Sequence, residues 1–112
     1  MPLPVIVLRE AERDLEDIVD FIADHDSAGN ARHILQSLDH VIRQLAHLPS
    51  RGNISKELRA LGLTGFREAH YKPYRIIYRI HEDAVVVHCI LDGRRDMQSL
   101  LRHRLLRMPR AR

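Results

Sequence analysis

Arginine is the residue whose placement in this chain first suggests chemistry. Arg67, Arg75 and Arg79 lie in and just before a β-branched run, Arg94 and Arg95 follow Gly93, and Arg102 opens a basic stretch studded with leucines. A guanidinium presents planar, paired donors that match a carboxylate or a phosphate. Such a set suits the gripping of an acidic protein segment or an anionic target. Arg75 and Arg79 are four apart in an extended run and so share one strand face. If the strand carrying Arg67 pairs with theirs, the three are expected to form one basic patch. The competing reading is a solvated face on a partly uncovered sheet.

Acid–base groups are also available. His70, Tyr71, His81 and His103 include side chains that titrate in the physiological range, but nothing in their spacing brings them together. His33, His40 and His47 recur every seven residues on a predicted helix. At 1.5 Å per residue that spacing is roughly 10.5 Å, too far for one ion to be shared, so these histidines are expected in solvent and no metal is expected. Cys89 sits among valines and isoleucines as a small core residue. A single cysteine excludes an internal disulfide framework and fits a reducing cytosol. No CxxC pair exists, which removes a zinc ribbon. No cofactor is expected.

The elements that must position these groups follow from periodicity. Leu3 to Leu8 reads as a short buried strand, and Pro4 near its start places it at a sheet edge. From Arg9 to about His25, Ala11, Leu15, Ile18, Val19 and Ile22 recur at helical spacing, with Glu10, Glu12, Asp14, Glu16 and Asp17 around them. Ser27 is placed to cap a second helix, whose apolar stripe runs from Ala31 to Leu48 and which Pro49 ends. The two helices form an antiparallel hairpin. Residues 50 to 65 carry three glycines and little pattern, with Leu58, Leu61 and Leu63 able to tuck a short helical turn onto the core. Phe66 to Tyr71, Tyr74 to Ile80 and Ala84 to Leu91 read as strands joined by the turns Lys72-Pro73 and His81-Glu82-Asp83. Met97 to Met108 reads as a last helix before Pro109. The order implies an α+β fold in one domain spanning residues 1–112. A short N-terminal strand and a helical hairpin pack on a small antiparallel sheet, followed by a C-terminal helix.

Composition sets the outer limits. With 45% hydrophobic and 29% charged residues the chain has an ordinary globular balance, and no apolar run approaches the roughly 20 residues of a membrane span. Its start shows neither a basic leader region nor a cleavage site, so no secretory signal is expected and the cytoplasm is the expected location. Residues 1–50 hold nine acids against four Lys/Arg, whereas residues 51–112 hold fourteen bases against six acids. A basic half points to an anionic partner, nucleic acid or acidic protein, unless it serves only solubility.

The stretch Phe66 to Arg95, FREAHYKPYRIIYRIHEDAVVVHCILDGRR, resembles the signature of the RelE/ParE toxin superfamily of type II toxin–antitoxin systems. A basic strand is followed by a Tyr-Arg-apolar-apolar-Tyr strand, a Val-rich strand and Gly-Arg-Arg. The acidic helix LREAERDLEDIVDFIADHD after a short strand is similar to the way ParE toxins begin. The resemblance spans nearly the whole chain. RelE-type relatives are metal-free ribonucleases that cut messenger RNA on the ribosome, and such a cut needs a proton acceptor, a proton donor and cations for the phosphate. On the positions where that branch carries two lysines, this chain has Arg67 and Ala69. Arg75 and Arg95 match its two arginines, and Leu101 falls near its tyrosine. Cations kept without proton-transfer groups is the pattern of the ParE branch, so the resemblance implies no catalytic residues.

What the resemblance implies, then, is an inhibitor of DNA gyrase. It would be neutralised by a cognate ParD-like, DNA-binding antitoxin of ribbon-helix-helix type, in a hetero-oligomer. Arg67, Arg75, Arg79, Arg94, Arg95 and Arg102 would meet antitoxin or target. The basic tail through Arg107, Arg110 and Arg112 suits contact with DNA, gyrase or antitoxin, or a frayed end. An apolar, basic groove between hairpin and sheet would take an antitoxin helix and an added strand. The alternative is a RelE-like ribonuclease using His70, Tyr71, His81 and His103. A third reading, a plain nucleic-acid-binding module, predicts strong salt dependence and is disfavoured by the lack of stacking aromatics.

Overall fold

The computed structural model describes residues 2–106. Strand β1 (Val5–Val7) leads into helix α1 (Arg9–His25), and α2 (Ala28–Gln44) completes the hairpin. Ser27 caps α2 as its residue type suggests, its hydroxyl accepting from the Asn30 amide at 3.0 Å. The helix stops at Gln44 rather than running to Pro49. Its end tightens into turns in which Leu45, Ala46 and His47 donate to carbonyls three residues back.

The featureless stretch after Pro49 is ordered. Strand β2 (Asn53–Ile54) and helix α3 (Lys56–Ala60) lie within it, and Leu58 is fully buried. Strands β3 (Phe66–Tyr71), β4 (Tyr74–His81) and β5 (Ala84–Asp92) then form a meander, followed by α4 (Met97–Leu101) and a π-helical turn, Arg102–Leu106. Arg107 and Met108, expected as the end of this helix, and the basic tail lie outside the described residues.

The sheet is mixed, with the order β1-β5-β4-β3-β2. The expected antiparallel sheet is correct for β2 to β5. However, β1 pairs in parallel with β5, Val5 against Val85 and Val7 against Val87. Edge placement of β1 agrees with Pro4, whose carbonyl accepts from Val85. Strand direction follows from where the helical hairpin returns the chain, a non-local choice that alternation alone cannot show.

Both faces of the sheet are covered. On one, Tyr74, Ile76, Tyr78, Val85, Val87 and Ile90 meet Leu38, Ile42 and Leu45 of the hairpin. On the other, Phe66, Ile77, Cys89 and Leu91 pack against Leu58 of α3 and Met97 and Leu101 of α4. Each buried leucine of this second cluster contributes about 1.5–3 kcal/mol relative to exposure. The partly uncovered sheet face of the sequence reading therefore carries its own core. The register of β4 and β5 shifts between Ile77 and Tyr78, where His88 is the extra residue of a bulge.

Candidate functional site

The two-residue turn at Lys72-Pro73 fixes which side chains share a face. It pairs Tyr71 with Tyr74 and His70 with Arg75, and Phe66 with Arg79 further along. Directly paired residues of an antiparallel ladder point the same way. On β3 the companions of Arg75 are thus Phe66, Glu68 and His70, while Arg67 and Ala69 point to the hairpin side. The expected patch of Arg67, Arg75 and Arg79 does not form. Arg67 instead ties down the chain after α2, donating to the carbonyls of Gly52 at 2.8 Å and Ser50 at 3.2 Å.

Arg75 stands at the centre of a network of ion pairs. Its Nη2 donates to Glu57 Oε1 at 2.6 Å and its Nη1 to Glu57 Oε2 at 3.1 Å. Its Nε donates to Glu68 Oε1 at 2.9 Å, and a further guanidinium contact reaches Glu68 Oε2. The hydrogen bonds from Arg75 hold the Glu57 carboxyl below the usual carboxylate range. The same carboxylates raise Arg75, Glu57 first. His70 Nε2 lies 3.0 Å from Glu68 Oε1, whose side chain is only 6% exposed. Sequence reading assigned no role to Glu57 or Glu68. The two-residue turn was the available signal for Glu68, since it fixes the parity of β3. Glu57 gave no signal, because its neighbourhood depends on where α3 docks.

The other predicted cations are dispersed. Arg79 lies over the Phe66 ring, 5.7 Å from its centroid, and contacts His81 Nδ1 at 3.3 Å. Arg94 is exposed and forks onto Asp92, at 2.7 Å and 3.0 Å. Arg95 and Arg102 are exposed, and among the described residues neither side chain has an ion-pair partner. Arg102 borders a shallow depression with Ser99, His103 and Leu106. Of the cations predicted to meet a partner, the exposed ones, Arg94, Arg95 and Arg102, lie in the β5–α4 connection and just after α4.

A second, half-buried ion pair was not anticipated. Beyond the end of β1 the edge of β5 is free, and Asp14 of α1 accepts from its Ile90 amide at 3.0 Å. Arg104 reaches Asp14 with two contacts, at 2.9 Å and 3.1 Å, and the His88 carbonyl at 3.4 Å. Desolvation raises Asp14 above its ordinary value despite these partners. The pair closes a strand edge that would otherwise be open to pairing. Beside it, burial and then the charges of Arg79 and Arg104 push His88 below the usual imidazole value.

The groove expected between hairpin and sheet is mostly filled by core packing. What remains includes a cavity of about 200 Å3 at the β3 end, where Arg51 is the lining cation, and one of about 330 Å3 between α2 and Tyr71. Above the first, Tyr78 donates to the Pro49 carbonyl at 2.7 Å and accepts from the Gly52 amide at 3.1 Å. A Cβ on Gly52 would sit 2.5 Å from both the Glu68 carbonyl and that hydroxyl, so glycine is required there. His33, His40 and His47 are all exposed. Cys89 is fully buried and its thiol is pushed up to about 12, which leaves it unreactive. No helix among the described residues is long and apolar enough to cross a membrane.

Known proteins share this fold. The chromosomal ParDE toxin–antitoxin system from P. aeruginosa contains a chain of the same fold, with a TM-score of 0.67 and 17% identity, over 79% of this chain and 92% of that one. The RelBE2 toxin–antitoxin complex from Mycobacterium tuberculosis contains another, with a TM-score of 0.61 and 23% identity, over 82% of this chain and 92% of that one. In sequence, Toxin ParE3 of Caulobacter vibrioides is 28% identical over 97 residues, covering 87% of this chain and 93% of the relative. The family model described as the ParE toxin of type II toxin-antitoxin system, parDE, matches residues 5–97. On that match the chain belongs to the ParE toxin family.

Proposed function

We propose that this ParE-family toxin inhibits DNA gyrase and is held inactive by a cognate ParD-like, DNA-binding antitoxin in a hetero-oligomer. The observation that carries the reading is the state of Arg75. The cation that a ribonuclease of this superfamily would turn to a phosphate is engaged by two carboxylates, Glu57 and Glu68. A phosphodiester brought there would meet a site already neutralised, with anionic oxygens in the way. Of the arginines singled out in the sequence, Arg95 and Arg102 are exposed and have no ion-pair partner among the described residues, with Arg94 beside them.

A ribonuclease reading is supported by one contact, that of His70 with Glu68 next to Arg75, a carboxylate–imidazole pair of the kind that moves protons. The two readings separate on induction of the toxin in cells. Gyrase inhibition gives DNA breaks and an SOS response while messages stay intact, and purified toxin then blocks supercoiling by gyrase. Rapid message cleavage without DNA damage overturns it, and abolition of that cleavage by His70→Ala would locate the chemistry. On the gyrase reading, Arg95→Ala combined with Arg102→Ala weakens target or antitoxin binding by about tenfold. Its thermal stability stays close to that of the parent, because both side chains are exposed.

A further inference from the structure

His88 is the extra residue of the β5 bulge, and its imidazole takes no part in the ion pairs of Arg75 and Arg104. Its Nε2 is sealed from solvent and has no hydrogen-bond partner among the described residues. The ring stands nearly perpendicular to Phe66 of β3, with centroids 5.1 Å apart. Two cations flank it. Arg79 of β4 lies over the same Phe66 ring, and Arg104 approaches the carbonyl of His88 at 3.4 Å. Glu10 of α1 is the opposing charge, 3.7 Å from Arg104. Asp14 of the same helix is engaged by Arg104 and the Ile90 amide. The adjoining Cys89 thiol is neutral.

An imidazolium carries a proton on both nitrogens. Here one of them would be a sealed donor with no acceptor, beside two guanidinium groups, and each condition disfavours the charged ring. The closed structure therefore admits only neutral His88. Of the elements around the ring, β3, β4 and β5 are tied into the meander and α1 into the hairpin. The Arg102–Leu106 turn is fastened by Arg104 and by Leu105 against the second core. We propose that His88 and Arg104 form an acid-sensitive latch, in which a proton taken up by His88 releases the Arg102–Leu106 turn from the edge of β5 while the hairpin and the meander stay folded. The imidazolium forms in the open arrangement, where water accepts its hydrogen bonds, and holds it open. Release withdraws Arg104 from Asp14 and loosens the cover on that edge. The latch does not depend on which target the toxin meets.

The sign follows from the closed state. Burial first, then Arg79 and Arg104, hold His88 below its ordinary 6.5, with Glu10 opposing. Closure is fully favoured above about pH 6.5 and weakens as pH falls toward the closed-state value. Asp14 acts in the opposite sense. Burial and Asp17 raise it above 3.8 despite Arg104, so at lower pH its proton favours closure. The window for release runs from about pH 6.5 down to about pH 5.

The test is amide exchange of the full chain from about pH 7.5 to about pH 5, expressed as protection relative to intrinsic rates. Protection at residues 102–106 is expected to fall about tenfold across that range, while amides of β3 and β4 keep theirs. His88→Gln and, separately, His88→Phe remove the titrating group, and each should flatten the dependence at the turn. Circular dichroism verifies folding, and either variant suffices if the other does not fold. Asp14→Asn should lower protection at the turn throughout but keep its decline with acid. Three results overturn the proposal. Protection at the turn stays constant across the range, it declines in parallel with that of β3 and β4, or the decline persists undiminished in a folded His88 variant.

Discussion

Arg75 shows how one side chain can be read correctly as important and wrongly as available. Its position after a tyrosine in a β-branched strand marked it, but its two carboxylate partners come from α3 and β3. Removing it by Arg75→Leu leaves Glu57 and the nearly buried Glu68 uncompensated, and is expected to cost about 3–5 kcal/mol in urea denaturation. The pH dependence has a definite sign. Arg75 depresses Glu57 in the folded state, so the stabilisation is complete above the unfolded value near 4.5 and is lost as pH falls through the folded one. Glu57→Gln should therefore be less stable than the parent at neutral pH and show a flatter acid limb below about pH 4.5. A parallel acid limb in the variant would show that Glu57 is not the titrating group.

At the scale of elements, the Asp14–Arg104 pair links α1 to the π-helical turn around the open edge of β5. Arg104→Met or Asp14→Leu alone strands a charge and should cost about 3–5 kcal/mol, whereas the double replacement should recover most of that loss. Amide exchange across residues 100–106 is the second readout, faster in either single variant and close to the parent in the double. Recovery failing in the double would mean that the pair matters for its geometry at Ile90 and His88 rather than for charge balance. The existence of the hairpin, the three long strands and the cap at Ser27 was legible because each rests on spacing within a few residues. The pairing of Asp14 with a residue ninety positions away was not, since no local pattern records it. Helix α3 was partly legible, through Leu58, while the ordering of its loop depends on Tyr78 and Arg67 reaching in from the sheet.

For the whole molecule, charge asymmetry was visible from composition, and the fold disperses what composition lumped together. Among the described residues, Arg67, Arg75 and Arg79 end on two sheet faces, Arg75 and Arg104 in two ion-pair networks, and Arg94, Arg95 and Arg102 in the exposed region around α4. The parallel pairing of β1 with β5 bears on how the chain reaches its native state. Val5 finds its partner at Val85, so the first strand waits about eighty residues for the strand that completes its sheet. Such long-range closure slows folding, and it makes the structure all-or-none along its length. A fragment ending at Asp83 keeps the hairpin but lacks the strand on which β1, β4 and both cores depend. It is expected to give no cooperative thermal transition. In a cell, an interrupted round of synthesis would then yield no partly working product, since the toxin's shape exists only once its fifth strand has been made.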